Sequence, residues 1–237
     1  MQALLSSFRA CRVVAFDADD TLWDNQMHYR KAESDWASVL APFGSREELS
    51  AALYEIETAN MAELGYGTKA FFMSLIQTAL KVGGDRLTAA HTGRILDIAR
   101  ELLRNPATPL PGVEETLSKI SRSARYKTVL LTKGDPLEQE LKIERSGLGK
   151  YFDFIDIVSA KTVREYNAIF SKYGISPSEF LMVGNSFKSD IAPVLELGGY
   201  AVHIPYHLLW EHEVMEEYEH PNLLKITTFS LLQDILP

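Results

Sequence analysis

One strand-like run precedes a long helical stretch in this chain, and that arrangement excludes most folds. Arg12 to Asp17 reads Arg-Val-Val-Ala-Phe-Asp, a short β-branched and aromatic run that ends on a carboxylate, as a buried strand does. From about Gln26 to Arg104 no comparable run follows. Apolar residues recur there at helical spacing: Leu49, Leu53 and Ile56; Phe71, Leu75 and Leu80; Ile95, Ile98, Ala99, Leu102 and Leu103. Breakers at Pro42 and Gly44, Gly65 and Gly67, and Gly83 and Gly84 divide the stretch into about four helices, enough for a small bundle.

Beyond the boundary formed by Asn105, Pro106, Pro109, Pro111 and Gly112 the rhythm changes. The spacing predicts helices over 113–121, 136–146, 162–173 and 189–197, each followed by a strand: 127–131, 154–158, 180–183 and 200–204. Gly147, Gly174 and Gly198 stand where helices stop. A short strand, 223–226, and a terminal helix close the chain. Strands alternating with helices pair in parallel and carry helices on both faces. The expected fold is therefore α/β, a doubly wound, mostly parallel sheet of Rossmann type interrupted after its first strand by an α-helical bundle. Its core would comprise residues 1–22 and 108–237, and its insertion residues 23–107.

Composition narrows the partners. With 32 acidic against 24 basic residues and a net charge of -8, a broad nucleic-acid surface is not expected. Cys11 is the sole cysteine, so no intrachain disulfide can form, which fits a reducing, cytoplasmic setting. No leader-like segment and no run approaching ~18 apolar residues is seen, so no membrane partner is expected. A small-molecule ligand, bound by a monomer or homodimer, remains.

In such sheets ligands bind outside the carboxyl ends of the strands. The first predicted strand ends Asp17-Ala18-Asp19-Asp20-Thr21. Two carboxylates held together are costly unless a cation lies between them, and Mg²⁺, which prefers oxygen ligands and bridges to phosphate, suits the pair. A metal-bound Asp can attack phosphorus, and a second Asp can protonate the leaving oxygen. An Asp-rich turn would carry the same letters. Thr132, with Lys133 and Gly134 after it, ends the second strand, where a hydroxyl and helix-opening N–H groups can hold phosphate oxygens. Lys161 follows the third and can neutralise a carboxylate and a phosphoryl group. Gly184, Asn185, Ser186 and Asp190 follow the fourth, supplying oxygen ligands or the start of a capped helix.

Taken in order, these residues resemble the four motifs of the haloacid dehalogenase-like hydrolase superfamily: Asp17-x-Asp19-x-Thr21, Thr132, Lys161, and Gly184-Asn185-Ser186 with Asp190. The helical insertion resembles that superfamily's cap. The resemblance implies Asp17 as nucleophile, Asp19 as general acid/base, and Thr132 and Lys161 as phosphate binders. It also implies Mg²⁺ held by Asp17, the Asp19 carbonyl and the fourth motif, with Asn185 and Asp190 sharing that last role. Many relatives carry Gly-Asp where this chain has Gly184-Asn185, so the metal site loses a formal charge. The dehalogenases that name the group lack an acid at the position of Asp19, which favours phosphate-ester hydrolysis here. A phosphomutase or phosphotransferase, a 2-haloacid dehalogenase and a phospho-ligand binding module that has lost turnover are the alternatives.

Other residues are weighed beside these. Tyr66 and Lys69, between two expected cap helices, form a candidate substrate-selecting loop, and Trp23 stands where the chain enters the cap. His203, His207 and His212 lack a ligating pattern and read as surface histidines; Glu211 to His220 reads as a solvated helix face, and Cys11 as a small core residue.

Overall fold

A computed structural model of the chain describes residues 2–123 and 125–236, with the backbone alone for Gln2 and Ala3. Met1, Ala124 and Pro237, which fall in the segments assigned to the core, lie outside the described residues. Among the described residues six strands form one wholly parallel sheet. They are β1 (Val13–Phe16), β2 (Lys127–Lys133), β3 (Phe154–Val158), β4 (Phe180–Gly184), β5 (Tyr200–His203) and β6 (Leu223–Lys225), in the order β3-β2-β1-β4-β5-β6. The first strand thus lies centrally, between β2 and β4, and its neighbours' carboxyl ends flank Asp17.

The strand periodicity sorts side chains to two faces. Val14, Phe16, Leu130, Leu181, Val183 and Val202 join one core with α1 (Gln2–Ala10), α6 (Val113–Arg122) and α10 (Leu232–Ile235). Val13, Ala15, Val129, Leu131, Phe180 and Met182 join the other, against Tyr166, Ile169 and Phe170 of α8 (Val163–Tyr173). Helix α1 was not anticipated; its Phe8 is fully buried and meets Tyr200 edge-on at 5.7 Å. Cys11 is a core residue, as expected.

Four helices follow β1: α2 (Gln26–Leu40), α3 (Arg46–Leu64), α4 (Thr68–Gly83) and α5 (Ala89–Leu103). They enclose a core of their own, including Trp36, Leu40, Leu49, Leu53, Leu75, Ile95 and Ile98. Trp36 is fully buried and donates its indole N–H to the carbonyl of Leu75 at 3.2 Å. Truncating such a side chain to Ala costs roughly 3–5 kcal/mol.

The helix expected over 189–197 is built differently. A wide π-type turn, Phe187–Ile191, comes first, and α9 (Ala192–Glu196) is short. The reason lies in Pro193, which has no N–H to give the carbonyl of Ser189. The Tyr166 hydroxyl donates to that carbonyl instead, at 3.0 Å. The π-type turn lets the Asp190 carboxylate reach back to the N–H of Ser186 at 3.0 Å.

Glu211 to His220 is not a helix. A 3₁₀ turn, Glu211–Glu213, is followed by irregular chain, because Glu213 is drawn inward by partners on the sheet side.

Candidate active site

The loop after β1 turns through Asp20, which adopts a left-handed φ of 63°. The Asp20 carboxylate accepts the N–H groups of Asn25 and Gln26, each at 2.9 Å, and so caps the entry to α2. Burial, only partly offset by these bonds, pushes its carboxyl up to about 7. This turn brings the Asp17 and Asp19 side chains to one cavity of about 140 Å³, which Thr132, Lys133, Lys161, Asn185 and Asp190 also line.

Asp17 sits in a closed set of contacts. Lys161 Nζ donates to Asp17 Oδ1 at 2.5 Å and to Asp190 Oδ1 at 2.8 Å. Thr21 Oγ1 donates to Asp17 Oδ2 at 2.8 Å, lies 3.1 Å from Asn185 Oδ1, and accepts the Asn185 N–H at 3.0 Å. Burial first, and the charge of Asp190 second, push the Asp17 carboxyl up to about 7 despite Lys161. Against its own burial, Lys161 is held well above the ordinary lysine range by Asp17 and Asp190. Gly184 is what lets Asp190 approach: a Cβ there would lie 2.3 Å from Asp190 Oδ2.

Asp19 has a different environment. Lys142 of α7 (Pro136–Ser146) reaches both its oxygens at 2.7 Å, Gln139 Nε2 donates to Oδ2 at 2.9 Å, and Trp23 Nε1 donates to Oδ1 at 2.7 Å. Burial alone would raise this carboxyl; Lys142 and the three sets of donated bonds outweigh burial and hold it below the usual range. Gln139 also donates to Thr132 Oγ1 at 3.1 Å, tying the hydroxyl at the end of β2 to Asp19. Trp23 is fully buried and acts on Asp19 rather than lining the cavity.

Lys133 lies beside two aromatic rings, 4.6 Å from the centroid of Tyr66 and 5.9 Å from that of Trp210. It pairs with Glu213, whose other oxygen accepts from Ser186 Oγ and, at 2.7 Å, from Ser189 Oγ. Tyr66 lines the cavity. Lys69 does not line it; its ammonium pairs with Asp135 at 2.7 Å. Beside that pair, Glu138 accepts the Thr68 N–H at 2.7 Å and the Thr68 hydroxyl at 2.8 Å. These contacts join the start of α4 to the start of α7.

Two surface assignments need correction. His203 is buried at the end of β5, its Nε2 2.9 Å from the carbonyl of Asn185, and burial lowers its basicity. The His212 side chain is also covered, stacked parallel on Tyr54 at 4.4 Å. His207 is exposed, as expected. Packing between segments distant in sequence makes the difference. Lys142, Gln139, Glu138 and Glu213 were not singled out from the sequence, for the same reason: on a helix or in a charged run they read as solvated.

Of the residues that the resemblance implies for a cation, Asp17, Asp19, Asn185 and Asp190 line the cavity together. Among the described residues no group of three or more His, Cys, Asp or Glu side chains is disposed to hold a metal. Two buried carboxylates against the single Lys161, one of them raised to about 7, leave anionic character that a hard divalent ion would satisfy. The residues thus fit Mg²⁺. No helix of the described residues is long and apolar enough to cross a membrane.

The chain is similar to known proteins in family and fold. Residues 11–198 match the haloacid dehalogenase-like hydrolase family. A haloacid dehalogenase-like family hydrolase from Xanthomonas campestris superposes with a TM-score of 0.85, at 33% identity over 96% of this chain and 92% of that one. The glyceraldehyde 3-phosphate phosphatase of Methanothermobacter thermautotrophicus is 26% identical over 95% of this chain and 99% of its own length. The pyrimidine 5'-nucleotidase YjjG of Escherichia coli is 33% identical over 97 residues, 38% of this chain and 42% of that protein.

Proposed function

Since the chain belongs to the haloacid dehalogenase-like hydrolase family, we propose that it is a Mg²⁺-dependent phosphatase of small phosphorylated metabolites, working through an aspartyl-phosphate on Asp17. The observation that carries this reading is that the Asp17 and Asp19 carboxylates line one cavity in opposite electrostatic settings. A halide leaves without a proton; an alkoxide needs one, and Asp19 is the group beside the nucleophile able to give it. Relatives named as glyceraldehyde 3-phosphate phosphatases support a small phosphorylated substrate.

In this reading Asp17 attacks phosphorus in line, forming the acyl-phosphate bond as the ester P–O bond breaks. Asp19 passes a proton to the departing alkoxide and recovers one from the water that next attacks the phosphoryl group. Lys142 keeps Asp19 anionic in the present arrangement, the state that accepts the water's proton. The proton that Asp19 delivers in the first step is taken up from solvent as the substrate binds, when the phosphoryl charge brought beside Asp19 raises its affinity for it. Thr132 and Lys161 orient the phosphoryl oxygens, whose charge the site must stabilise. Mg²⁺, held by Asp17, Asp190, Asn185 and the Asp19 carbonyl, would supply positive charge against the carboxylates and the phosphoryl group. Residues 23–107 act as a cap on the core formed by 1–22 and 108–237, and the Thr68–Glu138 and Lys69–Asp135 contacts exclude water when it is seated.

The test is hydrolysis of p-nitrophenyl phosphate and a panel of phosphate esters with Mg²⁺. Activity abolished by EDTA and restored by Mg²⁺, and lost in Asp17→Asn, is expected. Turnover by Asp17→Asn within about tenfold of wild type, with deamidation excluded by mass spectrometry, overturns the assignment.

A further inference from the structure

The cavity that holds Asp17 is electrostatically lopsided. Its three lysines all belong to the sheet side and each already has a carboxylate partner: Lys161 with Asp17 and Asp190, Lys142 with Asp19, Lys133 with Glu213. The side formed by the inserted helices contributes no Lys, Arg or His to the lining among the described residues. Its one charged lining group is Glu57 of α3.

Glu57 is poorly satisfied where it stands. Its side chain is 15% exposed, it accepts no hydrogen bond among the described residues, and its nearest ionisable partner is His212, with Nε2 3.9 Å from Oε2. His212 Nε2 is itself buried without a hydrogen-bond partner. Burial, with the charges of Glu33 and Glu211, pushes the Glu57 carboxyl up to about 7. Three residues on, and so on the same helix face, Asn60 also lines the cavity. Its amide nitrogen donates to Ser74 Oγ at 2.9 Å and to Gln77 Oε1 at 2.6 Å, which leaves its carbonyl oxygen as a spare acceptor. Apolar groups, among them Met61, Phe71, Leu209 and Trp210, surround these two acceptors. Among the described residues, a ligand entering here meets acceptors and no unpaired lysine or arginine.

We propose that Glu57, with Asn60, reads the distal end of the leaving alcohol, selecting phosphate monoesters that carry hydroxyl or ammonium donors there and rejecting those that carry a second anion. The proposal rests on the phosphatase reading and adds a specificity determinant to it. A donor-bearing group satisfies both acceptors; a carboxylate would face Glu57 with no cation to offset it, and like charges in a partly dry site repel strongly.

Two matched pairs of esters test it at pH 8, where Glu57 is anionic: glycerol 3-phosphate against 3-phosphoglycerate, and phosphoethanolamine against phosphoglycolate. The wild-type protein should prefer the donor-bearing member of each pair by about tenfold or more in kcat/KM. Glu57→Gln should cut that preference by about tenfold, and Glu57→Lys should reverse it. Because the readout is a ratio, a general loss of activity cancels, and the near-isosteric Gln variant decides the matter if the Lys variant does not fold. The first pair reports hydroxyl recognition and the second ammonium recognition; a preference in either that Glu57→Gln reduces supports the proposal. Equal use of both members by the wild type, or a ratio unmoved in Glu57→Gln, overturns it. Hydrolysis of p-nitrophenyl phosphate, which bears neither distal group, separates the two levels. If no ester is turned over, the phosphatase reading fails and takes this inference with it; if p-nitrophenyl phosphate is hydrolysed and the ratios do not respond, only the inference fails.

Discussion

Lys142 Nζ lies 2.7 Å from both carboxylate oxygens of Asp19, although the two residues are 123 positions apart. The lysine side chain is 3% exposed and the aspartate 22%. Helix α7 therefore supplies a buried cation to the second carboxylate of the motif, and the hydrophobic stem of Lys142 is spent on the core to place it.

Lys142→Met should strand Asp19 with only Gln139 and Trp23 as charge-free donors. Breaking a buried pair from one side costs about 3 kcal/mol, the low end of the range because Asp19 keeps some water contact. The Asp19 carboxyl would rise, and because the phosphorylation step needs Asp19 protonated, the alkaline limb of the kcat/KM–pH profile should move to higher pH. Urea unfolding measures the first effect and kcat/KM against pH the second. An unmoved alkaline limb would show that Lys142 supports the fold without tuning Asp19.

Gly184→Ala should damage the site from within the sheet. The new Cβ would lie 2.3 Å from Asp190 Oδ2 and 2.6 Å from Asp190 Cβ, and neither the strand nor the buried aspartate has room to yield. Overpacking of this kind costs about 1–3 kcal/mol. Displacement of Asp190 from Lys161 should also raise the Mg²⁺ concentration needed for half-maximal activity. Thermal unfolding and a Mg²⁺ titration check both; wild-type behaviour in each would mean that Asp190 is free to move without consequence.

Asn185→Asp should tighten Mg²⁺ binding. Asn185 already lies with its amide oxygen 3.1 Å from the hydroxyl that serves Asp17, so a carboxylate there adds charge without a new backbone position. Coulomb attraction at a few ångströms, reduced by desolvation, corresponds to a gain of about tenfold. The added charge also repels the substrate phosphate, so KM should rise. If half-maximal activity requires the same or more Mg²⁺, residue 185 is not a ligand and Asp190 carries that part of the site.

Glu57 gives the pH dependence of stability a defined sign. Its folded carboxyl is raised from 4.5 to about 7. The unfolded chain releases the proton first, so the folded state binds more protons between these values, and the contribution is lost as pH rises through about 7. Glu57→Gln should remove this term: equal to wild type near pH 4, and more stable by about 1–3 kcal/mol at pH 8. Denaturant unfolding at the two pH values measures it, and a stability difference independent of pH would contradict the raised value.

The architecture and the order of the motifs were legible along the chain because both depend on local periodicity. Val13 to Phe16 reads as a buried strand, the apolar spacing between Leu49 and Leu103 reads as helical, and Asp17, Thr132, Lys161 and Gly184 stand at or just beyond the ends of strands whose parallel order puts those ends on one edge. Asp19 was legible too, since it stands two residues from Asp17. What surrounds these groups was not. Lys142 and Gln139 sit in the run Leu137-Glu-Gln-Glu-Leu-Lys142, which reads as an ordinary polar helix face until α7 packs against the loop after β1. Glu213 belongs to an acidic stretch whose simplest reading is solvent, yet Lys133, Ser186 and Ser189 turn it inward. His203 became a core residue by ending β5, flanked by β4 and β6, beside the carbonyl of Asn185. Burial of a charge depends on the partner that arrives to meet it, and here each partner arrives from a segment at least 18 residues away. Sequence determined which groups end the strands; tertiary packing alone decided which of them are paired, which are raised or lowered in acidity, and that Glu57 is left facing the cavity without a donor.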